Sequence, residues 1–193
     1  MRGYALVCLA AASVVTSACG GSPSSPSGSS GTLNLRITDS PYSDARALLV
    51  TFSEVSAHRA DTPDSAWLPL PFAEGATART CDLKKLVNAQ DILGVGPLAA
   101  GHYTQVRLTV SQATLYFDNP STGAACAPTV VPPAGRSAAV EVSSGEVKLN
   151  REFDVAAGGS TTMVVDFDGE RSVIQQGNGA YRMSPVISVV SVQ

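Results

Sequence analysis

Few of the features that mark an enzyme or a nucleic-acid binder are present in this chain. Of its 193 residues two are histidines, four are cysteines and only 6% are aromatic. A zinc site would need more His or Cys than the folded part offers. Neither His58 nor His102 stands in a recognisable motif with a Ser or Cys nucleophile, so nucleophilic catalysis has no support. The net charge is −3 and no Lys/Arg cluster is visible, which excludes nucleic-acid binding. The apolar stretch at residues 5–15 is short of the roughly 20 residues of a membrane span. No repeat of fixed period occurs.

What is there is strand-forming. Hydrophobic residues make up 44%, enough for a sizeable core and too many for a disordered chain. Val, Thr, Ser, Ala and Gly are abundant, a mix that favours strands over helices. The N-terminus reads as a targeting segment, with Arg2 before the apolar run ALVCLAAASVV. Thr16-Ser17-Ala18-Cys19, followed by Gly20-Gly21, resembles the bacterial lipoprotein signal, in which the Cys is lipidated and becomes the new N-terminus. Thr16 stands where that pattern usually has Leu; an ordinary cleaved secretory signal is the alternative. The expected organisation is a signal peptide over 1–18, lipidated Cys19 with a flexible Gly/Ser/Pro tether to residue 31, and a single domain over 32–193. That places the protein in the bacterial cell envelope, with the membrane as partner through the lipid. Gly20 does not suggest inner-membrane retention, so the outer membrane is expected.

Cys8 leaves with the leader and Cys19 carries the lipid, so Cys81 and Cys126 remain as a pair in an oxidising compartment. A disulfide between them is expected; two separately buried thiols are the alternative. Along the domain, Leu33, Leu35 and Ile37 alternate with polar residues as a half-buried strand. Leu48, Val50 and Phe52 alternate, but Val55 and Ala57 continue in the opposite phase, which predicts a bulge at Ser53-Glu54. A second change of phase, between Val110 and Leu115, predicts another near Gln112. Residues 82–93 are the one helical candidate, capped by Asp82; a single turn is the alternative. Residues 119–135, rich in Pro, Gly and Ser, read as a long loop around Cys126. Short strands are predicted over 139–142, 146–149, 152–155 and 161–168, and the run VISVV near the C-terminus suggests a strand buried on both sides. Eight to ten strands with frequent turn signals predict an all-β antiparallel sandwich with at most one short helix.

Three segments, LRITDSP, PLAAGHYTQVRLTV and VVDFDGERSV with YRMSPVISVV, resemble the bacterial exported family known as domain of unknown function (DUF) number 4382. The resemblance covers roughly residues 31–190 and implies the lipoprotein and sandwich readings. It brings no activity and no catalytic residue. The middle segment is also similar to transthyretin-like modules, so the expected sandwich is transthyretin-like or Ig-like.

The polar tip of residues 161–172, TTMVVDFDGERS, is the first candidate site. Met163, Val165 and Phe167 share one face of the strand; Asp166 and Asp168 share the other. With Glu170 turning back and Asp39 as a fourth acid, these carboxylates could supply oxygen ligands to Ca²⁺, although the spacing is not that of an EF-hand. The alternative is that the acids end the strand and Arg171 pairs with one of them. A carboxylate pair of this kind does not by itself make a glycosidase cleft. Tyr42, Trp67, Tyr103 and Tyr116 are candidates for a carbohydrate platform; otherwise Trp67 is core and the tyrosines line strand ends. The sequence thus points to a non-catalytic binding domain for an unknown protein or carbohydrate ligand. A structural component of the cell surface, calcium-stabilised or not, is the second reading, and a hydrolase the third. Binding predicts exposed aromatics or a polar loop cluster at one end of the sandwich. A passive spacer predicts no pocket and a partner-seeking edge strand.

Overall fold

A computed structural model describes residues 29–40, 42–64 and 66–193. The signal segment, Cys19 and most of the tether lie outside the described residues. Strand β1 covers Ser30–Ser40, β2 Ala47–Arg59, β3 Trp67–Pro69, β4 Arg79–Asp82, β5 Asp91–Ala99 and β6 Gly101–Tyr116. They are followed by β7 Cys126–Ala127, β8 Ser137–Val142, β9 Glu146–Val155 and β10 Ser160–Asp168. A one-turn helix α1, Gly169–Ser172, precedes β11 Val173–Gln175, β12 Tyr181–Met183 and β13 Ile187–Val192.

The strands form two sheets. The smaller runs β13-β10-β1-β5; the larger runs β11-β12-β8-β6-β2-β4-β7, with β3 on β2 and β9 on β6. The alternation read in the sequence explains the packing. Leu33, Leu35 and Ile37 of β1 and Met163, Val165 and Phe167 of β10 are fully buried. So are Leu48, Val50 and Phe52 of β2 and Val106, Leu108 and Leu115 of β6. Phe167 of the smaller sheet meets Phe52 of the larger edge-on, with ring centroids 6.3 Å apart. This is the all-β sandwich expected from the turn spacing, with mixed sheets: β1 runs parallel to β10 and β8 parallel to β12.

Both predicted bulges are present, and they compensate each other. Thr51 faces Gln112 and Phe52 faces Val110, leaving Ser111 extra on β6; Glu54 then faces Thr109, leaving Ser53 extra on β2. Each strand gains one residue at the same level, so both change phase while the register recovers. That keeps Phe52, Val55 and Ala57 all on the core side.

Three expectations are corrected. Residues 82–93 form no longer helix but the single turn given as the alternative, a 3₁₀ turn over Leu83–Leu86 whose two leucines plug the core. Asp91, Ile92 and Leu93 of that stretch begin β5, which pairs with β1 as an edge strand. Its glycines are there for close packing: a Cβ on Gly96 would lie 2.6 Å from Pro71 Cδ. The stretches 146–149 and 152–155 are one strand, β9, irregular where Tyr103 pairs with Phe153 but Gln105 with Asn150. The C-terminal run is not buried on both sides. It forms the edge strand β13, whose inward Ile187, Val189 and Val192 touch the core. Val190 is the extra residue of a bulge against β10 and is 61% exposed.

Candidate functional site

The two ends of the sandwich differ. At the near pole, where β1 begins, the backbone of Ser29 and Ser30 is held by Ala100 and Gly158 in the short turns 99–101 and 156–159. At the near pole too lies the connection between β2 and β3, where the Ala60 amide donates to the His102 carbonyl. At the far pole, reached along the eleven residues of β1 after about 35 Å, three connections meet: residues 42–46 after β1, 83–90 around the 3₁₀ turn, and 117–136 between β6 and β8. The expected disulfide is present: Cys81 of β4 and Cys126 of β7 are directly paired, with S–S 2.06 Å, and pin the 117–136 loop to the larger sheet.

The acidic tip lies at this far pole, but its carboxylates do not converge. In the β1/β10 register Asp39 faces Phe167, while Thr38 faces Asp166 and Ser40 faces Asp168. Asp39 therefore points inward with Phe167, and Asp166 and Asp168 point to the opposite face. Asp166 accepts a hydrogen bond from Ser40 Oγ at 3.3 Å. Asp168 caps α1 by accepting from the Arg171 amide at 2.9 Å, and Arg171 Nε lies 3.9 Å from it. Glu170 accepts from the Ser43 amide at 3.0 Å. Among the described residues no three His, Cys, Asp or Glu side chains come together to hold a metal. The calcium arrangement of Asp166, Asp168, Glu170 and Asp39 is thus corrected, because side-chain alternation puts Asp39 on the other face of the sheet. The acids are strand-end and cap residues.

Asp39 is the unusual member. It is 5% exposed, and neither carboxylate oxygen has a hydrogen-bond partner of good geometry. Burial pushes its pKa up to about 8, with Asp166 and Asp168 adding to the shift. The nearby Gly169 amide and Lys84 offset it only in part. At neutral pH Asp39 carries a proton.

The cavity that the long connections enclose lies beside this tip. It is an open groove of about 730 Å³, lined by residues 43–46, by Asp82, Lys84 and Lys85, and by Phe117, Asp118 and Pro120. Asp82 is its internal brace. Fully buried, it accepts from the amides of Leu48 and Lys84, both at 3.2 Å, and from Ser121 Oγ at 2.5 Å. It thereby ties the 3₁₀ turn, β2 and the disulfide loop to one carboxylate. Lys84 Nζ donates to the Tyr42 carbonyl at 2.8 Å and Lys85 Nζ to that of Gly123 at 2.9 Å. Asp118 takes the Arg136 amide at 2.7 Å and the guanidinium Nε and Nη2 at 3.0 and 2.9 Å. These bonds hold its carboxyl below the usual range, the amide contributing most. The Arg136 guanidinium also lies over the Phe117 ring, 5.8 Å from its centroid.

The four candidate aromatics do not form a platform. Tyr42 and Tyr103 are buried, Tyr103 stacked on Phe153 and donating to the Ala99 carbonyl at 2.8 Å. Trp67 lies on the outside of the larger sheet with its ring covered by Arg107 at 4.5 Å and Lys148 at 5.6 Å. Tyr116 is half-buried among Leu49, Thr80 and Val130. His58, on a polar phase of β2, is nevertheless buried between Thr104 and the Pro63 carbonyl, at 3.2 Å from each. His102 is partly exposed beside Asp154, at 2.9 Å. The groove residues Arg46, Lys84, Lys85 and Phe117 escaped the sequence reading because they come from three distant segments with no shared motif.

No curated protein and no solved structure matches this chain. One family model does, over residues 30–185, a span that takes in every strand but β13, the disulfide and every residue of the groove. The chain belongs to the family described as domain of unknown function DUF4382.

Proposed function

We propose that the chain is an envelope-anchored lipoprotein, lipidated at Cys19, whose β-sandwich is a non-catalytic binding module with its binding end at the far pole. The observation that carries the reading is the polarity of the domain. Strand β1 begins at the near pole beside the turns 99–101 and 156–159, and the groove lies among three connections at the other end. A lipid on Cys19, joined through the Gly/Ser/Pro-rich residues 20–29 to the start of β1, would turn the near pole to the membrane, here the outer membrane, and the groove away from it. Loops carried on a rigid scaffold are where binding residues gather. A passive spacer or assembly component would favour open edges. The bulge at Val190 disturbs β13, and the Pro71 carbonyl and Phe72 cover part of β5. A hydrolase would need titratable groups free to act in a cleft, whereas Asp82 and Asp118 are each engaged by protein donors.

Two measurements test this. Expressed in a bacterium, the full chain partitions to the membrane fraction and Cys19→Ala releases it; a Cys19→Ala protein that stays in the membrane fraction overturns the anchor. The released protein co-sediments with isolated envelope polysaccharide. That retention is lost when Ser43→Trp fills the groove and kept when Ser188→Trp alters β13. Absence of retention for the parent protein overturns the binding module.

A further inference from the structure

We propose that the domain carries tension between its anchored near pole and its far pole, with β1 as the strand that conducts the pull while the sandwich stays closed. The inference rests on the anchored binding-module reading and adds a mechanical function to it.

The near pole grips the chain from its first described residues. The Ala100 amide donates to the Ser29 carbonyl at 2.7 Å, the Gly158 amide to that of Ser30 at 2.8 Å, and the Thr32 amide to that of Gly159 at 2.9 Å. Gly31 is seated so closely that a Cβ would lie 2.2 Å from the Ala156 carbonyl oxygen and 2.8 Å from Val155 Cγ1. Bonds on both flanks begin at once, so a pull from this end finds no loose lead among the described residues from which to peel the strand.

Beyond that grip β1 is an inner strand. It pairs with β5 from Ser30 to Ile37 and with β10 from Thr32 to Ser40. A pull along its axis runs across the ladder hydrogen bonds rather than along them, and so strains both ladders together. The side chains resist as well. Leu33, Leu35 and Ile37 are fully buried, and a slip by one residue would bring Asn34 and Arg36 into the core. Nor is there slack to take up: a strand of eleven residues is already close to the full reach of a chain.

The other end of the strand meets the groove. Residues 43–46 follow β1 and form one wall. They are moored sideways: Glu170 accepts from the Ser43 amide at 3.0 Å, Lys84 Nζ donates to the Tyr42 carbonyl at 2.8 Å, and the Arg46 amide donates to the Tyr116 carbonyl at 2.8 Å. A pull on something seated in the groove therefore spreads into α1, the 3₁₀ turn and β6, and returns to the anchor through β1. Strand β13 is the contrast. It lies at the edge with β10 as its one neighbour in the sheet, its register shifts between Val164 and Val165, and Gln193 just beyond it bonds back to Thr162. A pull from Gln193 meets those bonds one after another.

Single-molecule force spectroscopy on the full chain, with Cys8→Ser and Cys19→Ala, tests this by direction. Handles are attached at Ser25→Cys together with either Lys85→Cys or Gln193→Cys, in proteins whose urea midpoints match. Between 25 and 85 the pull draws β1 along its axis against the far pole; between 25 and 193 it draws β13 off the edge. Both pulls act on one fold, so a difference reports direction and not stability. The 25–85 pull is expected to unfold in one step, at a force at least about twice that of the first step between 25 and 193. Equal forces, or a weaker 25–85 pull, would overturn β1 as the conductor of tension. Handles at Ser25→Cys and Asp44→Cys span the strand itself and should show no unfolding step below the 25–85 force; a step there that releases the length of the sandwich overturns the straight path. The anchor is judged separately by fractionation of the Cys19→Ala protein. If the anchor fails while the force difference stands, no pull enters at the near pole and the mechanical function is overturned, with the binding module untouched.

Discussion

Asp39 gives the strongest quantitative test of the far pole. Its carboxyl is buried without a well-placed donor, and its folded-state pKa stands at about 8 against 3.8 for an ordinary Asp. Between those two values the folded protein keeps a proton that the unfolded chain has released. The stabilising contribution is therefore complete below about pH 4 and is lost as the pH climbs to about 8. The slope is one proton, about 1.4 kcal/mol per pH unit, and the whole window amounts to about 6 kcal/mol. That is comparable with the total stability of an ordinary domain, roughly 5–15 kcal/mol. Urea unfolding of the disulfide-intact protein at pH 5, 6, 7, 8 and 9 should show the midpoint falling steadily to pH 8 at constant m-value. Asp39→Asn, uncharged in both states, should lack this slope, so the stability difference between variant and parent should widen in the variant's favour by several kcal/mol from pH 5 to pH 9. His58 and His102 are common to both proteins and drop out of the difference. Parallel profiles for parent and variant between pH 5 and 8 would refute the reasoning. They would mean that Lys84 and the Gly169 amide hold the native carboxylate ionised after all.

Two further perturbations probe how the far pole is built. Replacing Cys81 and Cys126 together by Ala opens a link across 45 positions, worth about 4 kcal/mol in the chain-entropy account. For a domain of this size that is a fall in Tm of roughly 12 °C, and a fall under about 3 °C by calorimetry would show that the 117–136 loop is held by Asp82–Ser121 instead. Gly169→Ala would bring a Cβ to 2.9 Å from the Tyr42 amide nitrogen and 3.2 Å from the Ser40 carbonyl, backbone atoms that cannot swing aside. A loss of about 1–3 kcal/mol in urea unfolding is expected. Gly177→Ala, with nothing within 4 Å, is the matched control and should lose less; equal losses would sink the close-approach argument.

The parts of this fold that were legible in the sequence are those governed by alternation. The core faces of β1, β2, β6 and β10 follow from period two, and so do both bulges, because an extra residue must reverse the phase of everything after it. What alternation does not carry is the identity of a strand's neighbour. Nothing in residues 30–40 announces that they pair in parallel with 160–168, some 130 positions away, and that pairing decides where Asp39 points. The calcium reading treated Asp39, Asp166 and Asp168 as one cluster on proximity at a strand end. The register makes Asp39 level with Phe167, and a one-residue offset in a strand is a change of face. The edge strands failed for a related reason. An uncharged VISVV run looks the same whether two neighbours flank it or one, and β5 hides behind Gly94, Gly96 and Pro97, residues that argue against a strand until Leu70 and Pro71 are seen packed on its glycines. The groove is the least legible feature. Its lining comes from three separate connections, residues 43–46, 82–85 and 117–120, and only the fold, with Asp82 bonded to both β2 and Ser121, brings them to one pole.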